Sequence, residues 1–225
     1  MRKFKHMDCA LSYEIAEEIT GKFSRPSKMP CPAFSLSAFK CKTGEKLREI
    51  AGSTCEICYA TRNAYLYPNT KNAMERRFKG LAHPRWAEAM AFLIKCEGNA
   101  FFRWHDSGDI QSVEHLQNIV KVCTLTPSVS HWLPTREVGI LGEYVNKGNR
   151  IPENLTIRIS AYMVDAPPPK TIAEKFGCVS SVVTTTPDKL GEGVKVCPSS
   201  KQGNKCLDCR SCWDKREGVV AYVAH

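Results

Sequence analysis

Apolar residues run along the chain in two rhythms. Short, dense runs rich in β-branched and aromatic residues recur: "AFSLSAF" near 33–39, "AFFRWH" at 100–105, "SHWLPT" at 130–135, "LTIRIS" at 155–160, "VSSVVTT" at 179–185 and "VVAYVA" at 219–224. Such runs predict strands. Between them lie stretches with helical spacing. "PRWAEAMAFLIKC" opens on a proline, which suits a first helical turn. "SVEHLQNIVKVC" puts Val113, Leu116, Val120 and Cys123 on one face, after Ser112 as an N-cap candidate. "REVGILGEYVNKG" and "KTIAEKFG" each close on a glycine stop signal.

Strand and helix in alternation predict a parallel α/β fold. About seven strands in 225 residues suit a single TIM-barrel-like (β/α) domain over 1–225, with the barrel incomplete. An open doubly wound sheet is the alternative. No GxGxxG or Walker sequence follows an early strand, so dinucleotide and P-loop binding are not indicated. Residues 1–28 read as an N-terminal helical segment of mature protein, since the basic start has no apolar h-region or cleavage site. No apolar run reaches 18 residues, so no membrane span is expected. The expected location is cytoplasmic, in a host cytoplasm or with a virion.

In barrels the chemistry sits where strands end. Here those ends deliver His105, Asp106, Ser107 and Asp109, then Thr135, Arg136 and Glu137, then Ser160 and Tyr162, then Thr184 to Thr186, with His225 past the last strand. His105, Asp106, Asp109 and Arg136 are the candidate catalytic set. Plainer roles stand beside this one: turn and cap chemistry for Asp109 and Ser112, a surface pair for Arg136 and Glu137, a frayed end for His225. Arg103 inside a strand calls for partners, because an unpaired buried arginine is costly. Alternation places it on the face of His105, with nearby carboxylates as the obvious partners.

Twelve cysteines change the picture most. Without a signal peptide, clustered cysteines favour metal over disulfides. Cys197, Cys206, Cys209 and Cys212 form C-x8-C-x2-C-x2-C, with Pro198 after the first and a loop spanning 197–213. Tetrahedral zinc usually takes two separate C-x2-C knuckles, whereas a cubane accepts a winding C-x2-C-x2-C run plus a remote Cys-Pro. The spacing favours [4Fe–4S], with zinc as the alternative. Trp213 would shield such a cluster, and Lys205 and Arg210 would offset its charge. Cys31, Cys41, Cys55 and Cys58 form a looser second set for a second metal centre. Three further arrangements remain open there: zinc, a three-thiolate site of Cys41, Cys55 and Cys58 with one iron position free, or one cluster shared by both ends of the chain. Cys9, Cys96, Cys123 and Cys178 read as buried small hydrophobes.

The formal charge of +9 counts every thiol as neutral. Each four-thiolate iron–sulfur or zinc site would lower it by about 2. The remaining basic excess permits a nucleic-acid partner without demonstrating one.

"CPAFSLSAFKC", "CEICYA", "RWHDSGD", "WLPTRE" and "CPSSKQGNKCLDCRSCW" together resemble a phage-encoded family of cysteine-rich proteins known by a numbered gene product. The resemblance runs from about residue 29 to 225. It implies a (β/α)-barrel iron–sulfur protein distantly similar to radical S-adenosylmethionine (SAM) enzymes. Those enzymes usually present C-x3-C-x2-C, whereas this chain has Cys41-x13-Cys55-x2-Cys58 and no evident glycine-rich SAM-contact stretch, which argues against SAM chemistry. The expected function is electron transfer or radical-type redox chemistry at the barrel mouth, with a redox partner. The alternative is a non-catalytic, metal-stapled module that binds nucleic acid or a virion protein.

Overall fold

The computed structural model describes residues 11–224. Seven parallel strands form one sheet: β1 (Ala33–Phe34), β2 (Phe101–Trp104), β3 (Ser130–Thr135), β4 (Leu155–Ser160), β5 (Val179–Thr184), β6 (Val194–Val196) and β7 (Val219–Val223). Their spatial order is β1-β2-β3-β4-β5-β7-β6, so the chain steps sequentially across the sheet until the last two strands exchange places. The α/β class is as expected. Among the described residues no pairing joins β1 to β6, so the sheet has two edges and closure into a barrel is not shown.

Seven α-helices accompany the strands: α1 (Tyr13–Thr20), α2 (Lys42–Arg48), α3 (Pro68–Gly80), α4 (Trp86–Glu97), α5 (Val113–Leu125), α6 (Val138–Asn146) and α7 (Lys170–Lys175). Ser112 does cap α5, accepting from the His115 amide at 3.1 Å. The first ten residues of the expected N-terminal helical segment lie outside the described residues, as do Cys9 and His225. None of the described helices is long and apolar enough to cross a membrane.

Strand alternation sorts the two faces of the sheet. Phe102, Trp104, Leu133, Ile157 and Ile159 point to one face, under α4, α5, α6 and α7, and form the main core. The opposite face carries Phe101, Arg103, Trp132, Thr156, Arg158, Val220 and Tyr222. Among the described residues no α-helix covers it. The irregular segment 206–217 does, with Trp213 set against Phe101 and Trp132 at ring distances of 5.5 and 5.2 Å. The Trp213 indole donates to the Phe102 carbonyl at 2.9 Å. Trp213 is therefore a structural plug between segment and sheet.

Arg158 fastens that plug. It is fully buried in β4, and its guanidinium donates to the carbonyls of Ser180, Ser211, Cys212, Asp214 and Glu217 at 2.6–3.2 Å. Five N–H groups meet five carbonyls, which satisfies every donor the side chain has. A segment whose only regular piece is the 3-10 turn Ser211–Trp213 thereby gets its backbone acceptors paired inside the fold.

Candidate metal centres

The structure divides the eight candidate thiols differently from their order in the chain. Cys41, Cys55 and Cys58 gather beyond the exit of β1. Cys31, at the entry to β1, joins the C-terminal set instead. It is buried in a cluster with Cys212, Trp132, Trp213 and Val220, against which Cys197 and Met29 pack. The pairing of Cys31 with the three N-terminal thiols is thus not what the fold makes. Two residues before a strand and seven after it point to opposite ends of that strand, a separation that linear spacing conceals.

The three-thiol group is held by remote anchors. Cys41 opens α2 without capping it by its own side chain. The cap comes from Glu137 after β3, whose carboxylate accepts from the Thr43 amide and hydroxyl, both at 2.8 Å. This is a carboxylate at a helix N-terminus, where exposed N–H groups favour negative charge. Next to Cys55, Thr54 donates through its amide to the Tyr162 carbonyl at 2.9 Å and Ser53 bridges to Met163, tying the loop to the end of β4. Gly44 makes the space between: a Cβ there would stand 2.8 Å from Cys41 Cβ and 3.6 and 3.7 Å from the sulfurs of Cys55 and Cys41. Burial raises the thiol pKa values of Cys41 and Cys55, and repulsion from neighbouring thiols and from Asp109 adds to it. Three thiolates cannot share this volume without a cation to offset them.

The candidate catalytic residues separate. Asp109 and Arg136 lie at the three-thiol group. Asp109 is buried and accepts from the Thr135 hydroxyl at 2.7 Å and from the Ile110 and Arg136 amides, each at 2.8 Å. Burial nevertheless pushes its pKa up from 3.8 to about 6. Arg136 donates from Nε to the Ala161 carbonyl at 3.3 Å and faces Cys55. Asp106 is turned to one side, accepting from Ser24 and Tyr65 hydroxyls at 3.1 and 3.2 Å, while its carbonyl receives the Tyr59 hydroxyl. His105 is not with them. β2 ends at Trp104, and a positive φ of 52° at His105 breaks the alternation that would have set it beside Arg103. Its ring packs 5.4 Å from His115 and 6.4 Å from Phe34 in the core, both nitrogens lack partners, and burial holds its pKa far below the ordinary range. Gly108 follows in the same turn, at φ 82°, where a Cβ would fall 2.6 Å from Leu36.

The C-terminal group lies under the plug. Cys206 Sγ approaches Met29 Sδ at 3.8 Å, Cys212 Sγ meets the Tyr222 hydroxyl at 3.3 Å, and Cys197 and Cys209 face Ser199 and Ser211 at 3.2 and 3.6 Å. Burial pushes Cys31 and Cys212 each up to about 12 and raises Cys206 as well. Cys206 also neighbours Cys197, Cys209 and Cys31, and Cys212 neighbours Cys197, so the five thiols are linked into one group. Arg210 lies over the Phe101 ring at 5.3 Å and donates to the Cys209 carbonyl at 2.9 Å. Among the described residues no group of three or more His, Cys, Asp or Glu is arranged to hold a metal ion as it stands.

Residues 10–217 match the family described as Gene product 88. The chain belongs to that family. It is a phage-type gene-product family, which agrees with the resemblance seen in the sequence, and its description states no cofactor and no reaction. No curated protein and no solved structure matches the chain. For this Gene product 88 family member the site chemistry therefore rests on its own side chains.

Two of the scattered cysteines differ from expectation. Cys123 is fully buried as expected, but Cys178 is only partly buried and Cys96 is exposed at the solvent side of the last turn of α4. Sequence reasoning also passed over Glu137 and Thr43 as an anchoring pair, and Gly44 as the spacer between thiols. Glycine inside "KTGEKLR", a helix-forming stretch, was the available signal.

Proposed function

We propose that this protein is an iron–sulfur protein that performs a one-electron redox step at the mouth of its sheet. Cys41, Cys55 and Cys58 would hold one [4Fe–4S] cluster, leaving one iron position for a substrate or cofactor. Cys197, Cys206, Cys209 and Cys212 would hold a second, with Cys31 alongside. The observation that carries the reading is the three-thiol group: Cys41 at the start of α2 and Cys55 and Cys58 after it, spaced by Gly44, with no fourth thiol beside them among the described residues. The donor sets suit a cluster, since each is all-thiol and burial with thiol–thiol repulsion raises Cys41 and Cys55 in one and Cys206 and Cys212 in the other, a penalty that a bound cationic core would relieve.

When bound, such a cluster supplies or accepts one electron. The chain does the rest. Asp109, with a pKa near neutrality, can hold or release a proton beside the mouth. Arg136 presents a cation to an anionic group there. Tyr59 and Tyr162, both exposed, line the approach. SAM as a cofactor is not supported by the spacing of the cysteines.

Anaerobic purification with iron and sulfide assays and a visible spectrum tests this. The expected result is a brown protein with iron and acid-labile sulfide in equal amounts. A colourless protein holding stoichiometric zinc would overturn it.

A second reading has its own observation. Residues 38–80 carry nine lysines and arginines against four glutamates, with Phe39, Tyr59 and Tyr67 exposed among them. Cations interleaved with exposed rings suit single-stranded nucleic acid. A redox-silent metal together with salt-dependent binding of an oligonucleotide would favour a metal-stapled binding module.

A further inference from the structure

The strands at the two edges of the sheet, β1 and β6, are also its shortest. β1 pairs with β2 over two residues and β6 with β7 over three. Pairings this short contribute little by themselves. Between these edges the sheet curls toward its plugged face. Trp132 of β3 and Tyr222 of β7 stack at 6.4 Å, although β4 and β5 lie between their strands, about 14 Å of flat sheet. Thiols stand at both edges. Cys31 comes two residues before β1, and Cys197 follows β6 directly, its amide donating to the Ala221 carbonyl at 2.8 Å. Both belong to the apolar cluster that holds Trp213. Cys206 docks on the β1 side: its amide donates to the Lys28 carbonyl at 3.1 Å and its sulfur approaches Met29 Sδ at 3.8 Å. Cys206 neighbours Cys31, Cys197 and Cys209. Cys212 is engaged elsewhere, its sulfur at the Tyr222 hydroxyl and its carbonyl on Arg158.

We infer that the C-terminal centre is a staple across the unpaired edges of the sheet, held by Cys31, Cys197, Cys206 and Cys209, with Cys212 as the spare thiol. The inference rests on the two-cluster reading and changes one ligand in it. Thiolates on one metal core fix the segments that carry them, and here those segments are the approach to β1 and the exit from β6. Cys31 and Cys197 lie more than 160 residues apart in the chain. A clip that closes so long a loop removes much of the freedom of the unfolded chain. Cys212 instead belongs to the plug, set by Arg158 and Tyr222 whether or not the centre is filled.

The test compares the full chain before and after anaerobic reconstitution, in wild type, Cys31→Ser and Cys212→Ser, by iron assay and amide hydrogen exchange. Loading wild type should slow exchange about tenfold at residues 24–34 and at 194–197 together. Cys31→Ser should hold about four irons of about eight, those of the mouth, and lose the slowing at both edges. Cys212→Ser should keep the wild-type iron content and the slowing. The iron retained at the mouth reports that a variant is folded. If Cys31→Ser does not fold, Cys31→Ala keeps the site apolar and reads the same loss. A C-terminal centre that Cys31→Ser leaves filled, or that Cys212→Ser empties, overturns the inference and leaves the cluster reading intact. Slowing at one edge alone in wild type also overturns it. A wild-type chain that takes up no iron overturns both.

Discussion

The two thiol groups of this fold are built on opposite plans. At the mouth, one sulfur stands at the start of a short helix and two in the loop that follows it, and the anchors that hold them come from loops after β3 and β4. Beneath the sheet, four sulfurs lie in a C-terminal segment with only short 3-10 turns, pinned by one buried arginine and one buried tryptophan, and Cys31 joins them from the entry to β1. Among the described residues the first group has three thiols, one short of a full ligand set. The second has a thiol to spare. An incomplete ligand set suits chemistry, and a complete one suits storage of charge or stapling of the fold.

The comparison breaks most readily at Arg158. Replacing it with methionine should leave five buried carbonyls without donors and cost about 3–5 kcal/mol. Urea unfolding should show the loss, and metal assays should show the C-terminal centre emptied first. A loss below about 1 kcal/mol would mean that the plug is held by its metal alone.

Asp109 separates the groups by pH. Its pKa is about 6 in the folded chain and 3.8 in its ordinary state, so the folded chain keeps a proton that the unfolded chain releases. Stability of the metal-free protein should therefore be fully present below about pH 4 and fall as pH rises to about 6, by about 3 kcal/mol. Asp109→Asn should flatten that slope. An unchanged slope would assign the dependence to another group.

Gly44→Ala should act on the mouth alone. The new methyl would press Cys41, and the helix can give way at a cost of about 1–2 kcal/mol. Iron at the mouth should be lost while the C-terminal centre stays filled. Cys96→Ser should do least: exposed at the end of α4, it should change stability by less than about 0.5 kcal/mol and leave the iron content untouched.

Much of the sheet was legible in advance. "SHWLPT" and "LTIRIS" are β3 and β4 residue for residue, because parallel strands buried on both faces read as continuous apolar runs. "AFSLSAF" misled in part: only Ala33–Phe34 pairs, and the rest turns outward to reach Cys41. β6, three residues of "VKV", is too short and exposed to leave a pattern. The C-terminal thiols were legible as a set from their spacing. Cys31 was not, because its partners lie more than 160 residues away and meet it only after the strands assemble. His105 failed for a local reason, since no periodicity foretells a left-handed residue at a strand end.

The central claim is two separate thiol-bound clusters, and iron counting in single-thiol variants tests it most directly. Anaerobically reconstituted wild type should hold about eight irons per chain, Cys209→Ser about four with the mouth centre retained, and Cys58→Ser about four with the C-terminal centre retained. Loss of all iron from either single change would contradict two independent centres.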